Sequence, residues 1–185
     1  VHNQLNALAA IAAAEHLGVD PAEAAQALQQ FQNVRRRMEV RGRVARAGGD
    51  ITVYDDFAHH PTAVKVTLEA LRLRFGKRRM WAIFEPRSAS SCRRVFQDDF
   101  ARAFRGADEV VIASVFRSSL PAEERLSESE LVRALTGAGT HARHLPDVDT
   151  IVSAVAGEAR PGDLVVVMSN GGFGGIHRKL LDALA

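Results

Sequence analysis

The chain has 185 residues, 46% of them apolar and 25% charged, the composition of an ordinary soluble globular protein with room for one full core and part of another. A formal net charge of +2 excludes the strong field of a nucleic-acid or membrane-surface binder, and the single Cys92 excludes an intramolecular disulfide and argues against a Cys-based zinc site. No apolar run approaches the ~20 residues of a membrane span and no signal peptide opens the chain, so a reduced, cytoplasmic setting is expected.

The chain opens without Met, inside a helical pattern, and a piece of something larger is expected. Residues 4–16 (QLNALAAIAAAEH) are rich in Ala and Leu at helical spacing and stop at Gly18. Asp20 caps a second helix that begins at Pro21 and runs to about Phe31, with Glu23 three residues after the cap. Two helices of this length cannot form a core alone. From Met38 the pattern changes to strands: MEVRGRVA and ITVYDD are joined by a hairpin turn at Gly48 and Gly49. Helices and strands then alternate. A helix is expected at 61–75, a strand in RRMWAIF, a helix near 92–105, a strand in DEVVIAS, and a helix from about 127 to 135. A short strand near 141–144, a helix near 147–157, the strand DLVVVMS and a last helix from about 174 to 184 complete the order. Runs such as VVIA and LVVVM suit strands buried on both faces of a parallel sheet. The expectation is a doubly wound, Rossmann-like α/β domain over 38–185, mostly parallel, with an N-terminal hairpin, preceded at 1–37 by two helices of a neighbouring domain.

In such sheets ligands sit beyond the carboxyl ends of the strands. Four of those ends carry polar or Gly-rich loops: DDFAHHP, EPRSASS, SVFRSS and SNGGFGG. In the last, glycines 171, 172, 174 and 175 allow close backbone approach ahead of a helix N-terminus, a cradle for a phosphate or carboxylate rather than a plain tight turn. No Lys-Ser/Thr follows them, so the loop is not a Walker motif. In EPRSASS, Arg87 is placed to hold a carboxylate bidentately, or Glu85 and Arg87 form a surface pair beside a helix cap from Ser90 or Ser91. In DDFAHHP, neighbouring side chains diverge, so Asp55 and Asp56 have different jobs. A ribose-binding Asp and a metal cluster of Asp55, Asp56, His59 and His60 both remain open, as does plain capping of the next helix. The run RRRMEV at 35–40 is either a solvated face or a phosphate contact at a hinge. His16, His141 and His144 receive no role, and Met38, Met80 and Met168 fall in strand patterns as core.

Four segments in order, HNQLNALAAIAAA, RRRMEV, DDFAHHPTA and MSNGGFGGIH, resemble the Mur ligases, ATP-dependent enzymes that build the peptide of bacterial cell-wall precursors. The Asp-Asp-aromatic-small-His-His-Pro stretch is similar to the branch acting on UDP-N-acetylmuramate. FEPRS and VMSNGGFGGIH resemble those members whose acceptor is L-alanyl-γ-D-glutamyl-meso-diaminopimelate, with free L-alanine as the alternative acceptor. The resemblance implies that the chain holds the last two helices of a central ATPase domain and a complete C-terminal acceptor domain, with the N-terminal and remaining central domains as partners. It implies ATP contacts at Asn3, Asn6, Arg37 and Asp56, with Asp56 on the ribose. His59 and His60 would face the reacting centre or the incoming peptide. Glu85, Arg87, Ser88, Asn170, Gly171, Gly172, Phe173 and Gly174 would hold the tripeptide. Mg²⁺ ligands would lie in the central domain, outside these residues, and the resemblance lowers the standing of a metal phosphohydrolase built on the DDFAHH cluster.

Overall fold

A computed structural model describes residues 2–32, 34–116 and 119–185; Arg117 and Ser118 of the SVFRSS loop lie outside them. The chain forms two compact units, one ending at Arg35 and one spanning Arg36–Ala185. In the first, α1 (His2–His16) and α2 (Pro21–Ala27) are followed by a 3₁₀ turn at Leu28–Gln30. The Asp20 carboxylate accepts the Ala22 and Glu23 amides at 2.8 and 3.3 Å, the cap that the sequence signals. Neither α2 nor the turn buries any residue, and Leu5 and Leu8 of α1 stay exposed, as expected of helices too few to enclose a core.

The second unit is a six-stranded sheet: β1 (Glu39–Val44), β2 (Ile51–Asp56), β3 (Met80–Phe84), β4 (Glu109–Ile112), β5 (His141–His144) and β6 (Leu164–Met168). The spatial order is β1-β2-β6-β3-β4-β5, with only β1 antiparallel. Helices cover both faces, as the double winding requires. On one face α3 (Pro61–Phe75), α4 (Gln97–Ala103) with the turn after it, and α5 (Glu128–Gly137) bury Leu68, Phe100, Phe104 and Leu131 against Ala82, Phe84 and Val166. On the other, α6 (Val148–Glu158) and α7 (Ile176–Leu184) bury Ile151, Val155, Ile176 and Leu180 against Trp81, Ile83 and Val165. Central strands β3 and β6 are buried at every residue, which is why they read as unbroken apolar runs.

The helix expected near 92–105 is a 3₁₀ turn, α4 and a second 3₁₀ turn in succession. Its first residues are drawn into tertiary pairing instead: the Leu126 amide donates to Cys92 O at 2.9 Å and the Arg94 amide to Glu124 O at 2.7 Å. Three features direct the chain to the carboxyl edge of the parallel strands. The antiparallel β1 places Glu39 opposite Asp55, so the segment ahead of it reaches that edge. The ends of β2, β6 and β3 lie side by side there. Gly42 lets α7 sit on β1, since a Cβ there would fall 2.7 Å from Leu181 Cδ2.

Candidate active site

Asp55 and Asp56 point to opposite faces of β2, as neighbours on a strand must. Asp56, 2% exposed, accepts the Met38 amide at 2.8 Å on Oδ2 and the Ala58 amide (2.8 Å) and Thr67 hydroxyl (3.3 Å) on Oδ1. Its carboxylate ties the chain ahead of β1 to the loop after β2. Asp55 turns to the other side and pairs with Arg36, whose Nε lies 3.3 and 3.2 Å from its two oxygens. The same guanidinium donates through Nη2 to Ser169 O at 2.6 Å and Gly171 O at 2.9 Å, and lies 5.3 Å over the Phe57 ring. Arg36 has φ +58°, its amide donates to Glu39 Oε2 at 2.8 Å, and its carbonyl accepts the Phe57 amide at 2.8 Å. These contacts explain why residues 36 and 37, expected with the helices, fold with the sheet.

His177, the second residue of α7, completes this corner with Nε2 3.4 Å from Asp55 Oδ1 and no hydrogen-bond partner. Burial holds its pKa below the ordinary 6.5, opposed by Asp55 and assisted by Arg41 and Arg36, so it is neutral at physiological pH.

The two histidines of the motif present opposite faces. His59 Nδ1 lies 2.8 Å from the carbonyl of Phe57, which can only accept, so Nδ1 carries the hydrogen and Nε2 keeps its lone pair. His60 is the N-cap of α3: its Nδ1 accepts the Thr62 amide at 3.4 Å, placing the hydrogen on Nε2. Its ring stacks edge-on against Phe96 at 4.9 Å.

At the end of β3, Glu85 is buried and accepts the Ser169 hydroxyl at 2.5 Å, while Arg87 Nη1 lies 3.5 Å from its other oxygen. Arg87 stacks on Phe116 at 3.7 Å and runs over Gly171, where a Cβ would fall 2.3 Å from its Nε. Ser88 and Ser91 cap each other, each amide donating to the other's hydroxyl at 2.9 Å. In the loop after β6, the Gly171 amide donates to Ser169 Oγ at 2.9 Å, and the Oδ1 of half-buried Asn170 is enclosed without a donor. Gly174 and Gly175 take φ +56° and +71°, conformations that favour glycine.

The carboxyl edge therefore gathers Asp55 and residues 169–171 around Arg36, with Arg87 laid over Gly171 and Glu85 bonded to Ser169. Phe173 departs from its expected place with the acceptor: its side chain is 3% exposed in the core beside α6 and α7, because the loop turns it inward at φ +42°. Asn3 and Asn6 are exposed in α1, three residues apart and so on one helical face, and Arg37 is exposed. The metal cluster of Asp55, Asp56, His59 and His60 is not formed. The two carboxylates diverge, each into its own bonds, and among the described residues no group of three His, Cys, Asp or Glu could hold a metal ion. Sequence reasoning missed Arg36 and His177. For His177 a signal existed, since it shares a stripe with half-buried Leu181 four residues on.

A profile of the Mur ligase, glutamate ligase domain matches residues 36–171. The chain is 49% identical over 185 residues to the UDP-N-acetylmuramate–L-alanyl-γ-D-glutamyl-meso-2,6-diaminoheptandioate ligase of Escherichia coli strain K12, covering all of this chain and 38% of that protein. It is 36% identical over 181 residues to the UDP-N-acetylmuramate–L-alanine ligase of Desulfitobacterium hafniense strain Y51, covering 97% of this chain and 39% of that one. The crystal structure of a murein peptide ligase from Psychrobacter arcticus 273-4 superposes with a TM-score of 0.75 at 39% identity, over all of this chain and 37% of its own. The chain thus spans a little over a third of the length of the relatives it matches.

Proposed function

Because the chain belongs to the Mur ligase family, we propose that residues 36–185 are the acceptor-binding part of an ATP-dependent ligase, and that its substrates are UDP-N-acetylmuramate and L-alanyl-γ-D-glutamyl-meso-diaminopimelate. The two helices before Arg36 are then the end of the ATPase domain, with Asn3 and Asn6 facing adenine. The observation that carries the acceptor reading is Arg87: tethered by Glu85, flattened on Phe116 and laid over Gly171, it stands pre-ordered at the strand ends to receive a carboxylate. The greater identity to the tripeptide ligase than to the L-alanine ligase agrees with it.

In this reaction the lactyl carboxylate takes the γ-phosphoryl group of ATP and becomes an acyl phosphate. The tripeptide's free amine attacks the acyl carbon, the C–N bond forms, the C–O bond to phosphate breaks, and phosphate leaves with the electron pair. The amine must lose a proton. His59 Nε2, with its lone pair free, is assigned to receive it, and the Nε2–H of His60 to donate to the departing oxygen. Arg87 holds the acceptor so that the amine is aligned, and such positioning supplies much of the rate in ligases of this kind. Mg²⁺ and most of the ATP would be held by residues outside this chain.

The test is ADP release by the longer protein carrying this chain, given UDP-N-acetylmuramate and either the tripeptide or free L-alanine. Turnover with the tripeptide and not with L-alanine is expected; turnover with L-alanine alone would overturn the acceptor assignment. The 185-residue chain by itself is expected to release none.

A further inference from the structure

We propose that Arg36, braced by Asp55, is a positioning residue for acceptor binding: by holding the carbonyls of Ser169 and Gly171 it turns the amides of Asn170 and Gly172 outward as a pair that binds an acceptor carboxylate. The proposal rests on the acceptor reading above and names the atoms behind it.

In a trans peptide the N–H points opposite to the preceding C=O, and no peptide of the described residues is cis. Arg36 Nη2 draws Ser169 O (2.6 Å) and Gly171 O (2.9 Å) toward itself. The N–H of Asn170 and of Gly172 must therefore point away from it. Neither donates to any group among the described residues, whereas the amide between them, on Gly171, is spent on Ser169 Oγ at 2.9 Å. The loop thus alternates an outward amide, an inward amide and a second outward amide. Two backbone N–H groups, two residues apart and aimed to one side, are placed to share an anion. A cation already lies against the residue that separates them, since Arg87 runs over Gly171.

Arg36 acts through this loop rather than on the ligand. Its charge is matched by Asp55 at 3.2 Å and its Nη2 is taken by two carbonyls. The task needs a planar fork that bonds a carboxylate from Nε and two carbonyls from Nη2 at once, which a lysine ammonium on a flexible stem cannot do. Both ends of the brace are anchored: the Arg36 amide and carbonyl are bonded to Glu39 and Phe57, and Asp55 is fixed in β2 between β1 and β6.

The test uses the ¹⁵N-labelled 185-residue chain, titrated with L-alanyl-γ-D-glutamyl-meso-diaminopimelate and with versions amidated at one carboxylate at a time. In the wild type the amide protons of Asn170 and Gly172 are expected to move downfield with bound peptide while that of Gly171 stays. Arg36→Lys should weaken the peptide about tenfold, and one amidated peptide should bind wild type and variant with the same reduced affinity. Peptide binding that leaves Asn170 and Gly172 unmoved, or Arg36→Lys with wild-type affinity, would overturn the proposal and leave the acceptor reading standing. The wild-type shifts alone decide it should the variant not fold. No response anywhere at millimolar peptide would overturn the acceptor reading itself.

Discussion

At the amino edge of the sheet, Asp163 accepts Trp81 Nε1 (2.9 Å), the Arg160 amide (3.0 Å) and Arg79 Nη1 (3.3 Å), while Arg79 Nη2 reaches Glu109 at 2.8 Å and Arg143 grips Glu158 with both Nη atoms at 2.6 and 2.8 Å. Arg79 and Arg143 both lie over the Trp81 ring. The carboxyl edge draws on the same side-chain types: Asp55, Glu85, Arg36, and Arg87 over Phe116. The difference is in what is left over. The amino-edge network closes on itself, although a concavity of about 500 Å³ lined by Glu109, His141, Arg143 and Glu158 opens beside it. Among the described residues, the carboxyl edge leaves Asn170 Oδ1, His177 Nε2 and two loop amides without a hydrogen-bond partner. Unsatisfied polar groups distinguish the carboxyl edge, where the proposed acceptor site lies.

If the amino edge is structural, its variants should cost stability and little else. Asp163→Ala leaves Arg79 and Trp81 Nε1 without their shared acceptor and is expected to cost about 3 kcal/mol in urea unfolding, with unchanged acceptor affinity. Gly171→Ala, at the other edge, should do the reverse. The new Cβ meets the flexible end of Arg87, which gives way, so stability should hold while tripeptide affinity falls roughly tenfold.

His177 sharpens the contrast through pH. Its folded-state pKa lies below 6.5, so the unfolded chain binds the proton more readily in the window just below 6.5. Its contribution is complete above 6.5 and is lost as pH falls through the depressed value. His177→Gln should therefore flatten the decline of unfolding free energy in acid. The smallest effect is expected of Arg143→Ala, no more than about 1 kcal/mol, because its pair with Glu158 is partly solvated.

Much of this contrast was legible in the sequence. Alternating and unbroken apolar runs located β1 to β4 and β6, and the helix expected at 61–75 is α3 at its observed ends. The convergence of DDFAHHP, EPRSASS and SNGGFGG followed from parallel strands having their carboxyl ends at one edge. The choice among Arg35, Arg36 and Arg37 was not legible. It depends on positive φ at Arg36 and Met38, two non-glycine residues held there by Glu39 close by in sequence and by Asp56 from the end of β2. The inward turn of Phe173 was not legible for a related reason, since a glycine-rich loop hides which of its members turns into the core. Nor does histidine signal a helix cap as Ser or Asp does, so the role of His60 ahead of Pro61 emerged only with coordinates.

Arg87 and Arg143, each stacked on an aromatic ring at opposite edges, offer the most direct test. In the longer protein carrying this chain, tripeptide-dependent ADP release should show an acceptor KM about tenfold or more higher for Arg87→Ala and within about twofold of wild type for Arg143→Ala. An unchanged KM in Arg87→Ala, or an equal rise in both, would contradict the assignment of the carboxyl edge as the acceptor site.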